Sequence, residues 1–407
     1  MLTQAETKAE RDLSLGPFAY YAPQPIDKPT RSPLLLRLAQ NRTYGFNDNP
    51  LRKVHGGEKT IRSMRLLHVN PGNLFGGVES MIFTMAAHSR ADSGLDSHFA
   101  YCFEGTFATQ LRALGVPTHR LGEVRGRYPW TVLLARFRLA RLLRSQKFDA
   151  VICHAAWSVA VFGRTLRAAH CPLVLWLHDP PQARLHRLER WAQKVRPDFA
   201  FCNSRYTQSL LPRLYNSLPS QVIYCPVAAP IFSLDSPCRL RVRRSFETAD
   251  NAFVILQAGR WEPIKGHAVL VRALEKLKAD PRWVCWSVGG TQRPHEIQYR
   301  ESIVSLAHEM GVGSRIRFLG WQPSMTPLFQ SADLFCQPNS GIEPFGITFI
   351  EALYAGLPVI GTNLGGPAEI VTSNCGDLLE PNHPKGVAEC ILHWMNSPKK
   401  GRATFFL

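Results

Sequence analysis

The sequence predicts an α/β protein built from two doubly wound, Rossmann-like domains. Three observations carry this reading. Short apolar runs alternate with helical periodicity in two successive series, glycine turns follow several of those runs, and 407 residues exceed one ordinary core. Apolar runs without polar alternation suit parallel strands covered on both faces. The first domain is expected over residues 64–227 and the second over 252–407, joined by a linker over 228–251. Residues 1–63 are Pro-rich and polar without sustained periodicity, which predicts a mobile extension. Met64 opens the regular pattern and is itself a candidate first residue.

In the first domain the strands are expected at Leu66–Asn70, His98–Cys102, Ala150–Cys153, Leu173–Leu177, Phe199–Cys202 and Val222–Tyr224. Helical spacing marks Val78–Ala91, Thr131–Gln146 and Arg184–Val195. Pro230, Pro237 and clustered charge then break the pattern, which is why the linker is placed there. The second series of strands is Phe253–Gln257, Val284–Val288, Arg315–Phe318, Leu334–Cys336, Pro358–Ile360 and Asp377–Leu379.

Composition bounds the class. Hydrophobic residues make up 45% of the chain, enough for two cores. None of the ten cysteines falls in a C-x-x-C or metal-ligand spacing, so reduced, buried thiols in a cytosolic protein are expected. No apolar run is long enough to span a membrane, and Glu6, Glu10 and Asp12 interrupt the region where a signal peptide would need an apolar core. In such a setting the Asn41-Arg42-Thr43 sequon meets no glycosylation machinery.

The net charge is +17, and the stretch from Arg112 to Arg213 alone holds 18 Lys/Arg against 5 Asp/Glu. So basic a region attracts a phosphorylated partner or an anionic membrane. The helical segment Thr131–Gln146 contributes Arg136, Arg138, Arg141 and Arg144. Nucleic acid ranks lower, because no nucleic-acid motif accompanies the charge.

The segment starting at Pro338, PNSGIEPFGITFIEALYAGLPVIGTNLGGPAEI, is the most informative. It reads as a loop opening a helix, then a buried strand, then a second glycine loop. Amides at a helix start favour a phosphate, and carboxylates accept hydrogen bonds from hydroxyls. Glu343 and Glu351 beside the Phe345-Gly346 turn therefore ask for a ligand that is both phosphorylated and rich in hydroxyls.

Glu343 and Glu351 enclose seven residues, and the string E-P-F-G-x-x-x-x-E-A-x-x-x-G-x-P-V resembles the Glu-x7-Glu motif of retaining GT-B glycosyltransferases, family 4. Gly259-Arg260-Trp261-Glu262-Pro263-Ile264-Lys265-Gly266 is similar to that family's G-R-x-x-x-x-K-G loop, and Gly76-Gly77-Val78-Glu79 to its glycine loop after the first strand.

The resemblance implies a GT-B fold and transfer of a hexosyl unit from a nucleotide sugar to a hydroxyl of a glycan or lipid-linked acceptor. Arg260 and Lys265 would stabilise the departing diphosphate by charge-assisted hydrogen bonds without a metal ion. The absence of an Asp-x-Asp motif agrees with that, and no cofactor is expected.

Glu343 and the amides of Phe345, Gly346 and Ile347 would face the sugar and diphosphate, and Glu351 the ribose. Leu319 and Gly320 would meet the nucleobase, while Gly76, Gly77 and Gly259 would approach the phosphates. His178, after the Leu173 strand, would bind a sugar hydroxyl. His154, Ser204 and Arg205 are expected at the acceptor side of the cleft. Gly365, Gly366 and Glu369 would close the cleft, by packing if nothing else. The implied location is cytoplasmic, at the inner face of the plasma membrane if the basic region binds lipid.

After Pro381 only 26 residues remain, ending in an apolar Phe405-Phe406-Leu407 tail where the family adds a closing helix. This favours the rival reading, a non-catalytic GT-B module that binds a sugar nucleotide or a surface. A glycan phosphorylase, the other enzyme alternative, would need a pyridoxal-phosphate lysine motif, and none is evident.

Overall fold

The computed structural model describes residues 63–89, 94–228 and 236–397. The expectations for residues 1–63, except its last residue, and for the C-terminal tail lie outside the described residues.

The first sheet is built from β1 (Met64–Asn70), β2 (Leu95–Tyr101), β3 (Thr118–Arg120), β4 (Ala150–His154), β5 (Leu173–Leu177), β6 (Phe199–Cys202) and β7 (Ser220–Val222). The helices between them are α1 (Gly77–His88), α2 (Thr106–Ala113), α3 (Pro129–Ser145), α4 (Ala155–Ala168), α5 (Arg187–Ala192) and α6 (Arg205–Leu210). α7 (Ser236–Ser245) follows the first sheet.

The second sheet holds β8 (Phe253–Ala258), β9 (Trp283–Val288), β10 (Ile316–Gly320), β11 (Leu334–Cys336), β12 (Val359–Thr362) and β13 (Gly376–Leu379). Its helices are α8 (His267–Lys276), α9 (Pro294–Glu309), α10 (Thr326–Ser331), α11 (Ile347–Tyr354), α12 (Pro367–Ile370) and α13 (Pro384–Asn396).

The spatial orders are β3-β2-β1-β4-β5-β6-β7 and β10-β9-β8-β11-β12-β13. All the pairings are parallel. Each sheet reverses its direction of winding once, between β1 and β4 and between β8 and β11. In such sheets the crevice opens beyond the carboxyl ends of the strands at the reversal. The central strands are buried on both faces: all five residues of β5, Leu-Val-Leu-Trp-Leu, are covered. One core gathers Leu67, Val151, Phe162 and Leu175, and a second gathers Ile255, Trp261, Trp283 and Leu334.

Three expectations need correction. β3 carried no apolar run because it is a three-residue edge strand, half open to solvent. The last strand of the first sheet is Ser220–Val222, not Val222–Tyr224. Tyr224 leaves the sheet and stacks on Phe345, with ring centroids 5.8 Å apart.

The expected linker contains α7, which is docked by charge. Arg239 and Arg243 both reach Asp333, each at 2.6 Å, and Arg243 also bonds the carbonyls of Ser331 and Ala252. Arg243 is 1% exposed. A helix held by arginines, one of them buried, gives little apolar periodicity, which is why it read as a break.

Candidate active site

The site starts from two glycine turns. After β1 the chain turns through Gly72 and enters α1 at Gly76-Gly77, where Glu79 Oε2 accepts the amide of Gly76 at 3.1 Å. After β8 it enters a 3₁₀ turn, Pro263–Lys265, closed by Gly266 at φ +72°. A Cβ on Gly266 would lie 1.9 Å from the Pro338 carbonyl oxygen, so only glycine fits. Trp261, fully buried, anchors this loop by donating from Nε1 to the Gly289 carbonyl at 2.8 Å.

The loop presents Lys265 and Arg260. Lys265 Nζ donates to Glu343 Oε2 at 2.6 Å. The same oxygen accepts from Gln337 Nε2 at 3.1 Å and Asn339 Nδ2 at 3.2 Å. Glu343 is thus a buried carboxylate held by one cation and two amides. Arg260 pairs with Glu262 at 2.8 Å and keeps about a third of its side chain exposed. A methyl group placed on Gly76 would lie 4.0 Å from Arg260 Nε, so the glycine turn of the first sheet faces the arginine of the second.

Gly365 and Gly366 complete the wall, because their backbone runs against the Glu343–Phe345 loop: a Cβ on either would lie 2.2 Å from a carbonyl oxygen of that loop. Phe345 is buried, and Gly346 and Ile347 open α11.

Glu351, one turn further along α11, does not share this network. It lines a separate pocket of about 90 Å³ with Met325, Thr326, Phe329 and Ala355. Burial raises its pKa to about 7. The two glutamates of the motif are therefore different groups at neutral pH, one tied to a cation and the other partly protonated in a separate pocket. Gly259, Leu319 and Gly320 lie at the carboxyl ends of β8 and β10; the Gly259 amide bonds the Val288 carbonyl, and the Gly320 carbonyl accepts the Gly289 amide. A Cβ on Gly289 would meet the Gly259 oxygen at 2.0 Å.

On the first-sheet side the expectations are partly corrected. His178 is buried, and its Nε2 shares a proton with His154 Nδ1 at 2.9 Å. His154 Nε2 in turn meets His68 Nδ1 at 3.1 Å. Burial holds His68 at about 4 and His178 at about 3, with His154 also well below the usual histidine value. Three neutral rings in a row carry one N–H each, so all three must adopt the same tautomer.

The open group at the end of β5 is the next residue, Asp179. The residue is exposed, yet the protein around its carboxyl partly strips it of water. That desolvation raises its pKa, while Arg260 and Lys265 pull it down. Ser204 is also buried: it caps α6, accepting the Thr207 amide at 3.0 Å, and does not face the cleft. Arg205 is exposed, and its backbone is used by the other half of the molecule.

Among the described residues, hydrogen bonds cross the cleft at two places. Gln292 accepts the Phe75 amide at 3.0 Å and donates to the Phe75 carbonyl at 2.8 Å. Glu369 accepts the amides of Arg205 and Tyr206 at 3.0 and 2.9 Å and the Tyr224 hydroxyl at 3.1 Å. Its expected packing role is thus replaced by a charged cap on α6. In each sheet the two contacts lie three strand positions apart, β1 to β6 and β9 to β12. Arg260, Glu343, His154 and Asp179 follow the strands in between.

Asp179, Gln292, Gln337 and Asn339 escaped the sequence reading. Asp179, Gln337 and Asn339 carried a usable signal, being polar groups just beyond apolar strands; Gln292, on a loop, carried none. Among the described residues no group of three or more His, Cys, Asp or Glu is placed to hold a metal ion.

Two facing doubly wound sheets, with glycine turns and charged groups at their carboxyl ends, define a GT-B-type α/β protein. Residues 75–229 match the model described as Glycosyltransferase Family 4, and residues 239–404 match that described as Glycosyl transferases group 1. The chain belongs to this group 1, family 4 glycosyltransferase family.

It is 29% identical over 212 residues to the D-inositol 3-phosphate glycosyltransferase of Actinosynnema mirum, covering 50% of each chain. It is 31% identical over 153 residues to the lipopolysaccharide core biosynthesis glycosyltransferase LpsD of Rhizobium meliloti, covering 36% of this chain and 42% of that one. The chain therefore spans about half the length of the curated relatives it matches. Among solved structures it is similar to Anabaena Alr3699/HepE in complex with UDP and glucose, with a TM-score of 0.74, 21% identity and coverage of 83% of this chain and 92% of that one. At that identity the likeness speaks to the fold.

Proposed function

We propose that this protein is a retaining glycosyltransferase that moves a hexosyl unit from a nucleotide sugar to a hydroxyl of a glycan or lipid-linked acceptor at the cytoplasmic side of the cell. The observation that carries the reading is the cross-cleft constellation of Arg260, the Lys265–Glu343 pair and the Gly76 turn, with the Glu351 pocket beside it. Cations facing a glycine turn suit a diphosphate, and a carboxyl in a small pocket suits ribose hydroxyls.

In this reading the donor diphosphate enters between Arg260 and the Gly76-Gly77 turn and draws Lys265 partly away from Glu343. Both cations then stabilise the negative charge that builds on the departing diphosphate. The acceptor attacks from the leaving-group face, and a phosphate oxygen takes its proton. Asp179 and the amides after Gly346 border the sugar. The likeness of family members that act on inositol phosphate and lipopolysaccharide core supports an acceptor bearing hydroxyls beside negative charge.

The test is a thermal-shift screen against GDP-, UDP- and ADP-sugars, followed by hydrolysis and transfer assays with the donor that binds. One nucleotide series should raise Tm and be slowly hydrolysed. Binding without turnover would sink the transferase reading and favour a binding module.

A further inference from the structure

The helix α3 has one face too many. Val132, Ala135 and Leu139 bury one side of it against the first core. On the opposite side Trp130, Leu133, Leu134 and Phe137 are 63%, 63%, 48% and 59% exposed, with Tyr128 just before them. The spacing i, i+3, i+4, i+7 puts these four on a single stripe. Monomeric soluble proteins rarely leave so many large apolar groups together in water. Arg141 and Arg144 extend the same stripe towards the C-terminus of the helix, so its first half is apolar and its second half basic.

We propose that α3 is an interfacial helix that inserts this stripe into an anionic lipid bilayer. Charge decides the occupant. From Val124 to Phe148 there are seven Lys/Arg and no Asp or Glu. Arg138 and Arg136 are spent on the carbonyls of Leu121 and Val161, and Arg125 on Glu123, which leaves Arg127, Arg141, Arg144 and Lys147 to meet lipid headgroups. A second copy of the same surface would set like charges against one another. A bilayer offers both an apolar interior and anionic headgroups, and Trp and Tyr at the start of the stripe suit the headgroup boundary.

The placement also has a use. In a parallel sheet the helix after a strand starts at the strand's carboxyl edge, so the apolar half of α3 lies at the cleft edge of the first sheet. Seating it in lipid brings the cleft to the membrane surface. That a lipid-linked acceptor benefits rests on the proposed transferase function; the membrane contact itself does not.

Vesicle co-sedimentation of the full-length protein tests the proposal, with phosphatidylglycerol and phosphatidylcholine vesicles compared. Binding should require phosphatidylglycerol at low salt, and each of Arg141→Ala and Arg144→Ala should weaken it about fivefold, the equivalent of about 1 kcal/mol per basic residue. At about 1 M salt, where the Debye length is about 3 Å, a measurable fraction should remain bound through the apolar stripe. The quadruple change Trp130→Ser, Leu133→Ser, Leu134→Ser and Phe137→Ser should cut low-salt binding at least about tenfold and abolish the salt-resistant fraction. Because these side chains already face solvent, the variant should keep the wild-type far-UV spectrum and Tm. Bound Trp130 should be quenched by brominated lipid, a signal lost in Trp130→Phe. Failure to bind phosphatidylglycerol vesicles at low salt, or quadruple-variant binding equal to wild type, would overturn the proposal. So would a wild-type dimer that the quadruple variant turns into a monomer while vesicle binding is absent, which would make the stripe an interface between copies.

Discussion

The two walls of the cleft are built from different materials. The second-sheet wall carries charge on side chains: Arg260, Lys265, Glu262, Glu343 and Glu369. The first-sheet wall offers backbone at Phe75–Gly77, with the Glu79 carboxylate behind that turn, the Asp179 carboxyl, and three neutral imidazoles buried beneath. Both lie at the carboxyl ends of doubly wound sheets, so the fold places a site on each but does not decide its chemistry. The difference suggests that one wall stabilises charge while the other fixes geometry, and each part of that contrast can be broken.

The largest effect should come from the charged wall. Arg260→Ala and Lys265→Ala should each cut kcat by roughly 10²–10³, or about 2.7–4 kcal/mol of lost charge stabilisation. Their stability effects should differ. Lys265→Ala strands the buried Glu343 carboxylate and should lower Tm well below wild type, whereas Arg260→Ala should leave Tm nearly unchanged. Adding Glu343→Gln to Lys265→Ala should restore much of the Tm but none of the turnover. Near-normal turnover in Arg260→Ala would remove that residue from the mechanism.

Within the same wall the two glutamates should separate. Glu343→Ala should mainly damage transfer, and Glu351→Ala should weaken the free nucleoside diphosphate about tenfold, the loss expected for hydrogen bonds to a charged group. Because the Glu351 pKa is raised to about 7, its folded form holds a proton that the unfolded chain has released between about pH 4.5 and 7. Its contribution to stability therefore falls as pH rises through that window. Ribose hydroxyls prefer the carboxylate as acceptor, so nucleotide affinity should rise from pH 6 to 8 by more in wild type than in Glu351→Gln. Calorimetric titration of the pair at both pH values measures this, and parallel pH profiles would remove Glu351 from the ribose site.

The geometric wall should respond to acid. His68, His154 and His178 are held neutral by burial, with depressed pKa values. Their stabilising contribution is present above about pH 6.5 and is lost as pH falls towards 4, where the unfolded chain binds protons the folded rings refuse. Tm should drop across that range, and His154→Gln should flatten the slope; an unchanged slope would assign the acid loss elsewhere. The smallest expected effect is that of EDTA, which should leave transfer unaltered if side chains alone neutralise the diphosphate. Activity lost to EDTA and restored by Mg²⁺ or Mn²⁺ would end the metal-free proposal.

The contrast also explains what the sequence could reveal. Glu343, Lys265 and the glycines around them lie close along the chain and are forced by tight backbone contacts, so their spacing is a readable string. The buried parallel strands were legible because both faces demand apolar residues. The imidazole row joins three different strands, and its partners are set by sheet order, which no local spacing encodes. His154 and Ser204 looked like cleft groups because they end strands, yet their side chains turn inward. α7 stayed hidden because charge docks it, and Gln292 because an exposed glutamine on a loop looks like any other.

Gln292 and Glu369 together give the cleft a mechanical character. Three strand spacings separate them, about 14 Å at the usual interstrand distance. Glu369 and the Tyr224–Phe345 stack join the two walls at one rim of the cleft, and Gln292 joins them at the other. A glutamine amide matches a peptide group donor for acceptor, so the Gln292 contact closes in one orientation without charge and is largely indifferent to salt. Two exposed hydrogen bonds are worth about 1–3 kcal/mol net, so on this basis the rim would be open roughly 1–15% of the time. If the proposed transfer takes place here, such a rim would open often enough to admit a bulky donor. Gln292→Ala should therefore quicken both nucleotide entry and escape in stopped-flow traces, and raise unproductive hydrolysis of the donor relative to transfer.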